Sequence, residues 1–303
     1  MVAIATDLQP KSTNLPGYVA GILAGVSYGL NPLFGLPLLT TFQMSVDSVL
    51  FYRYFFAVIC LGGILFFRGI RVRVTLKQFG ILALLGLFFS MSSLTLFESY
   101  HYVPSGIATT LVFLYPILVA IIMVFLRVFP TWQVWVSIGM TFLGVMLLCH
   151  TDGESAYRPI GYVLAALSAL FYAFFIVVVN RSRTVKNVSN TVLTFYSLTI
   201  GMLVFFVHAL FRGSIALPPP GAMGDLLGLA LIPTVVSMGA LACATRYIGA
   251  TKASVLGVTE PMTAIIIGVL VMGEPMNGYI VVGLILTMVA IIFMTVSEKK
   301  KTA

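Results

Sequence analysis

Charge is what this sequence has least of. Asp, Glu, Lys and Arg make up 9% of its 303 residues, against roughly 25% in soluble proteins. The 17 basic and 9 acidic side chains are too few to cover a soluble domain of this size. An ordinary cytosolic enzyme is thereby excluded, and so is a disordered chain, which needs polar residues in excess. Cysteine is scarce too. Cys60, Cys149 and Cys243 all sit in apolar runs, which reads as small core residues and excludes a secreted disulfide scaffold. Long polar loops are missing, so there is no room for a soluble domain. Also missing are an HExxH pair, a GKS/T phosphate loop and a nucleophile elbow. The three histidines, His101, His150 and His208, have no metal-ligand spacing and read as interfacial. The sequence thus argues for neither an enzyme nor a cofactor.

What is present is apolar residues, 60% of the chain. A spanning helix needs about 20 of them in succession. Ten such runs are legible, over 17–38, 46–67, 77–98, 105–127, 131–150, 160–180, 190–211, 224–245, 252–272 and 276–297. They are continuously apolar, whereas barrel strands run to about ten alternating residues. The expected fold is all-α and integral to the membrane. Residues 1–16 carry one Lys and two prolines, with no cleavable signal evident, and the first apolar run is long enough to span.

The basic residues test the count. With ten spans, fourteen of the 17 fall on the side of both termini. Only Arg158 and Arg212 fall on the other side, and Arg53 lies inside a span. The positive-inside rule then places both termini in the cytoplasm. The net charge of +8 is a topology signal, not a nucleic-acid patch.

The chain also repeats itself at an offset of 144–145 residues. Gly17-Tyr18 falls on Gly161-Tyr162, Tyr28 on Tyr172 and Phe51-Tyr52 on Phe195-Tyr196. Tyr102 falls on Tyr247, Pro116 on Pro261 and Pro130 on Pro275. Each unit holds five spans, an odd number, so the second must lie upside down relative to the first. The units are 17–150 and 160–297, flanked by an N-terminal segment 1–16 and a basic tail 298–303. Inverted repeats are a transporter signature: two like halves exchange conformations and expose a midplane site to each side in turn.

The strings YGLNP (Tyr28 to Pro32), FYRYFFA (Phe51 to Ala57), RYIGATKASVLGVTEP (Arg246 to Pro261) and GEP (Gly273 to Pro275) resemble the drug/metabolite transporter superfamily, of the type built from two EamA domains. The resemblance covers nearly the whole chain. It implies an exporter or exchanger of small metabolites, often amino acids or amphipathic compounds, in a bacterial inner membrane. The first half departs from the second at one point, with Tyr115-Pro116 where the second has Glu260-Pro261.

Glu260 is the sharpest site residue, a carboxylate near the middle of an apolar run. An unpaired charge there costs about 2.5–3.5 kcal/mol on insertion scales. It can hold a substrate amine or a proton, or satisfy a neighbouring helix. Arg53 can hold a substrate carboxylate, or snorkel, or pair with Glu98 or Asp47. Span three carries Ser90, Ser92, Ser93 and Thr95, which can line a wet cavity or bond back to their own helix. Asn31 is a polar group deep in span one beside Pro32. Tyr28, Tyr115 and Tyr172 can stack on a solute or pack the core. The expected binding set is therefore Glu260, Tyr28, Asn31, Arg53, Ser92, Thr95, Tyr115 and Tyr172. Gly17, Gly21, Gly25 and Gly29 form one small-residue face for close helix packing. The bilayer and a small solute are the expected partners, with proton coupling through Glu260. A channel-like facilitator and a non-transporting sensor are the alternatives.

Overall fold

The computed structural model describes residues 15–299 apart from 71, 128–131, 149–157, 183, 185–187, 214–215, 242, 245–246, 248–255, 258, 272 and 274–275. Pro130, Pro275, Cys149, His150, most of segment 1–16 and the last four residues of the tail lie outside that set. Among the described residues the structure is helical, with no strand. Span one is α1 (Leu15–Gly29) followed by α2 (Asn31–Thr40); spans two and three are α3 (Val46–Phe67) and α4 (Leu76–Ser99). Span four is α5 (Ser105–Val112) and α6 (Tyr115–Phe125), and span five is α7 (Trp132–Leu148). In the second half, α8 (Pro159–Arg181) and α9 (Asn190–Arg212) are spans six and seven. Span eight contains α10 (Met223–Ala230) and a π-helical stretch, Leu231–Val236. Spans nine and ten are α11 (Thr259–Leu270) and α12 (Gly278–Lys299). Six of these spans are long and apolar enough to cross a membrane outright, and the shorter helices fill the remaining positions.

Local chemistry sets the helix ends. Thr75 and Gln78 close a reciprocal capping box at the start of α4, Ser45 caps α3 by accepting from the Ser48 N–H, and Ser189 caps α9 in the same way through Val192. Gly213 ends α9 at φ +61°, a left-handed conformation that glycine adopts without a Cβ clash. The outer surfaces are apolar: Phe66, Phe67 and Phe211 are more than 80% exposed, as suits side chains that face lipid tails. The protein is an integral, multi-pass membrane protein.

The two halves pack as an inverted pair. Phe51 of α3 lies against Phe206 of α9, ring centroids 5.5 Å apart. Toward the other end of the same seam, Gly62 of α3 meets Phe195 of α9. Adding 144 to Phe51 gives Phe195, and adding it to Gly62 gives Phe206. The two contacts are thus exchanged by one antiparallel pseudo-twofold axis. The same operation accounts for the other interfaces. Spans four and nine pack on each other, as do spans five and ten, while the contact of α1 with α11 has its counterpart in α8 with α6. Ten spans in two inverted five-span repeats are therefore visible in the packing as well as in the sequence.

The glycine face of span one makes one of these contacts. A Cβ at Gly21 would strike the Leu256 side chain, and one at Gly25 would strike the Thr259 hydroxyl. At Gly29 it would meet the Glu260 carbonyl at 2.5 Å. Only a helix without side chains on this face lets the start of α11 approach so closely.

Candidate functional site

Breaks in helices bring the site together. Span four, read from the sequence as the apolar run 105–127, stops at Val112 and restarts at Tyr115-Pro116. At the equivalent register of the second half, α11 begins at Thr259 and carries Glu260-Pro261 in its first turn. Proline has no N–H and is tolerated at the start of a helix, so each of these helices starts where its sequence allows. Span one breaks as well: Leu30 turns the chain and Asn31-Pro32 opens α2. Its counterpart α8 has Phe175-Ile176 at that register and runs through unbroken. Half-helices whose N-termini face the interior are a recurrent way for carriers to build a midplane site.

Glu260 stands at one such N-terminus, where the dipole favours a negative charge. No described residue donates a hydrogen bond to its carboxylate, and it joins no ion pair among them. Tyr28, Tyr115 and Tyr172, from three different spans, all lie within electrostatic reach of it. Tyr115 meets Tyr172 edge to face, with ring centroids 4.8 Å apart. Tyr172 in turn stacks on Phe175 at 6.1 Å. The structure thus gathers a carboxylate and three aromatic rings contributed by both halves.

Arg53, like Glu260, lies within electrostatic reach of Tyr28. Its side chain is 1% exposed. It pairs with neither Glu98 nor Asp47. Instead Nε donates to Thr234 Oγ1 at 2.8 Å, and the guanidinium lies over the Phe97 ring, 5.5 Å from its centroid. Thr234 owes its position to Pro233. Proline cannot serve the Leu229 carbonyl four residues back, so the Thr234 hydroxyl donates to it at 3.0 Å and the helix widens to a π turn. Nη2 of Arg53 finds no acceptor. Asn31, also 1% exposed, donates to the Tyr28 carbonyl at 2.8 Å, and its Oδ1 finds no donor. One buried donor and one buried acceptor flank Tyr28, each without a partner. Such groups are few in native interiors, and each calls for an explanation.

Ser92 and Thr95 sit apart from this group. Ser92 Oγ lies 3.1 Å from Ser168 Oγ, and Ser168 Oγ donates to the Ser92 carbonyl at 2.8 Å, joining α4 to α8. Thr95 donates back to Met91 O at 2.9 Å within its own helix. Tyr54 and Ser93 hydroxyls bond at 2.6 Å. The hydroxyls of span three are thus engaged either in joints to other helices or in bonds back to their own. Thr234 is the polar residue that the sequence pattern passes over. The proline before it, in an apolar run, is the signal that could have found it. Among the described residues no cluster of His, Cys, Asp or Glu could hold a metal ion.

This fold, two inverted five-span repeats with interrupted helices at the centre, defines a membrane transporter architecture. Comparison with known proteins gives the family. The model of the EamA-like transporter family matches residues 15–149 and again 159–296, and the chain belongs to that family. It is 28% identical over 179 residues to the uncharacterized transporter YdfC of Bacillus subtilis, covering 57% of this chain and 56% of that protein. With the uncharacterized transporter sll1319 of Synechocystis it shares 26% identity over 200 residues, 63% of this chain and 59% of that one. The aligned part spans little more than half the length of these relatives. A solved crystal structure superimposes on 94% of this chain and 99% of its own, with a TM-score of 0.67 at 14% identity, a likeness of fold alone.

Proposed function

We propose that this EamA-family protein is a secondary carrier that moves a small organic metabolite, in the export direction, by alternating access around the centre between its repeats. The observation that carries the reading is the convergence of the Glu260 carboxylate with Tyr28, Tyr115 and Tyr172 at the point where two half-helices begin. A carboxylate with no hydrogen-bond or ion-pair partner among the described residues suits an amine, or a proton exchanged against one. Aromatic faces suit the cation or the apolar part of the solute. Arg53, with an uncommitted Nη2, suits an anionic group near Tyr28. A solute with both charges, an amino acid above all, would satisfy both ends; a cationic amphiphile would use Glu260 and the rings alone. Ser92 and Thr95 would support the walls of the site. The membrane is a bacterial inner membrane, with both termini in the cytoplasm, in line with the distribution of basic residues.

Counterflow in proteoliposomes tests this. Vesicles loaded with a millimolar amino acid should accumulate the labelled form of the same solute transiently and saturably. Flux that rises linearly with concentration and shows no counterflow would mean a channel-like facilitator instead.

A further inference from the structure

The pseudo-twofold axis through the α3–α9 seam relates the two ends of that seam to each other, yet the ends differ. At one end, Asp47 in the first turn of α3 binds His208 near the end of α9, Oδ1 to Nδ1 at 2.8 Å. Asp47 is 4% exposed and His208 39%. The Ser48 hydroxyl accepts from the Ala216 N–H beyond α9 and ties the loop to the same corner. Shifting both members of the pair by the repeat offset gives Thr191 and Ile64. Those two residues line a cavity of about 390 Å³ between α3, α9 and span eight, together with Thr194, Val235, Met238 and Cys243. One end of the seam is clasped by a hydrogen-bonded His–Asp pair. At its symmetry mate the described residues show no such pair, and the cavity lies there instead.

We infer that Asp47 and His208 form the closed gate of the carrier, and that the cleft at Ile64 and Thr191 is the corresponding open one. The inference rests on the alternating-access reading. In an inverted-repeat carrier each half adopts, in the opposite state, the conformation its mate has now. The contact that closes one end of a self-paired seam must then part when the other end closes. A polar pair at the rim suits that task, since water can take over its hydrogen bond when it opens, whereas a buried apolar seal cannot be so compensated. The asymmetry also has a consequence. Because the pair is found at one end only among the described residues, the resting equilibrium leans toward the state with the cleft open. A single contact can bias a two-state equilibrium in this way when only one state makes it.

Cys243 is a free thiol in the wall of the cleft and reports its opening. With Cys60→Ser and Cys149→Ser in place, Cys243 is labelled with a water-soluble maleimide in lipid nanodiscs. Loss of the clasp in His208→Ala or Asp47→Asn should slow labelling by about fivefold or more, the lower end of usual coupling strengths. Asp47→Cys with His208→Cys, oxidised to a disulfide, should keep labelling fast while stopping counterflow, and a reductant should restore the flux. The disulfide variant keeps a bond at the corner and serves if the single variants fail to fold. Unchanged labelling in both single variants, or full flux through the cross-linked protein, would overturn the gate. Absence of saturable flux in the parent chain would overturn the carrier reading and the gate with it; saturable flux with an unresponsive Cys243 would overturn the gate alone.

Discussion

Tyr115 and Glu260 occupy the same register of the two repeats, each beside a proline in the first turn of a helix, and Tyr115 lies within the electrostatic reach of Glu260. Duplication placed two equivalent positions face to face across the axis, and sequence divergence then gave one a phenol and the other a carboxylate. The centre therefore carries a single charge from this pair. Two carboxylates here would repel each other in a low-dielectric site. A Tyr115→Glu variant should be less stable than the parent by at least about 1 kcal/mol, seen as an earlier melting transition in detergent.

The glycine face of α1 gives a second prediction. Gly29→Ala puts a methyl group 2.5 Å from the Glu260 carbonyl, and backbone cannot swing aside as a side chain can. Overpacking of this kind costs about 1–3 kcal/mol. Gly63→Ala is the control. Nothing lies within 4 Å of the position a Cβ would take there, and alanine favours a helix by up to about 1 kcal/mol over glycine. Thermal unfolding should show Gly29→Ala destabilised and Gly63→Ala neutral or stabilised.

Arg53 gives a third. Its two known ties are one hydrogen bond to Thr234 and the face of Phe97. Arg53→Gln keeps a donor for Thr234 and removes the charge. If Arg53 reads an anionic group, the parent should prefer an amino acid over its decarboxylated amine by about tenfold or more, and the variant should lose that preference. Charge-assisted, bidentate contacts give discrimination on this scale. Competition of the two solutes in the counterflow assay measures it, and an unchanged preference would remove Arg53 from the site.

Ser168→Ala tests the opposite role. Ser168 joins α8 to Ser92 on α4 and touches neither charge of the centre. Interhelical hydrogen bonds in membranes average about 0.6 kcal/mol. The variant should lose a degree or two of melting temperature and keep its affinity for solute, which separates the helix joints of span three from the solute contacts.

Much of this was legible in the sequence, for reasons particular to its residues. The spans follow from apolar runs that water would not tolerate. The inverted repeat follows from aromatic and proline pairs in register, and the same pairs recur as contacts across the α3–α9 seam. Glu260 and the three tyrosines could be named because polar atoms in an apolar run are few. The breaks at Phe113 and Leu114 were not legible. A proline in a long apolar run fits a kinked helix as well as two half-helices, and the difference lies in which neighbours accept the freed backbone groups. Arg53 was expected to look for a carboxylate, but its partner is a hydroxyl 181 residues away, presented by a turn that Pro233 widens. The Asp47–His208 pair was hidden in the same way: His208 alone reads as interfacial and Asp47 as a candidate partner of Arg53, and only the packing of α3 on α9 brings them together.

The central claim is that Glu260 carries the solute or its coupled proton. Glu260→Gln keeps the size of the side chain and removes the negative charge. Efflux of amino acids and of one lipophilic cation from proteoliposomes, with and without a pH gradient, tests it against the parent chain. The account predicts saturable parent flux that responds to the gradient, and a variant in which flux is lost or runs without regard to it. Saturable flux equal in both proteins and indifferent to the gradient would leave a carrier whose site is not built on Glu260, and would contradict the account.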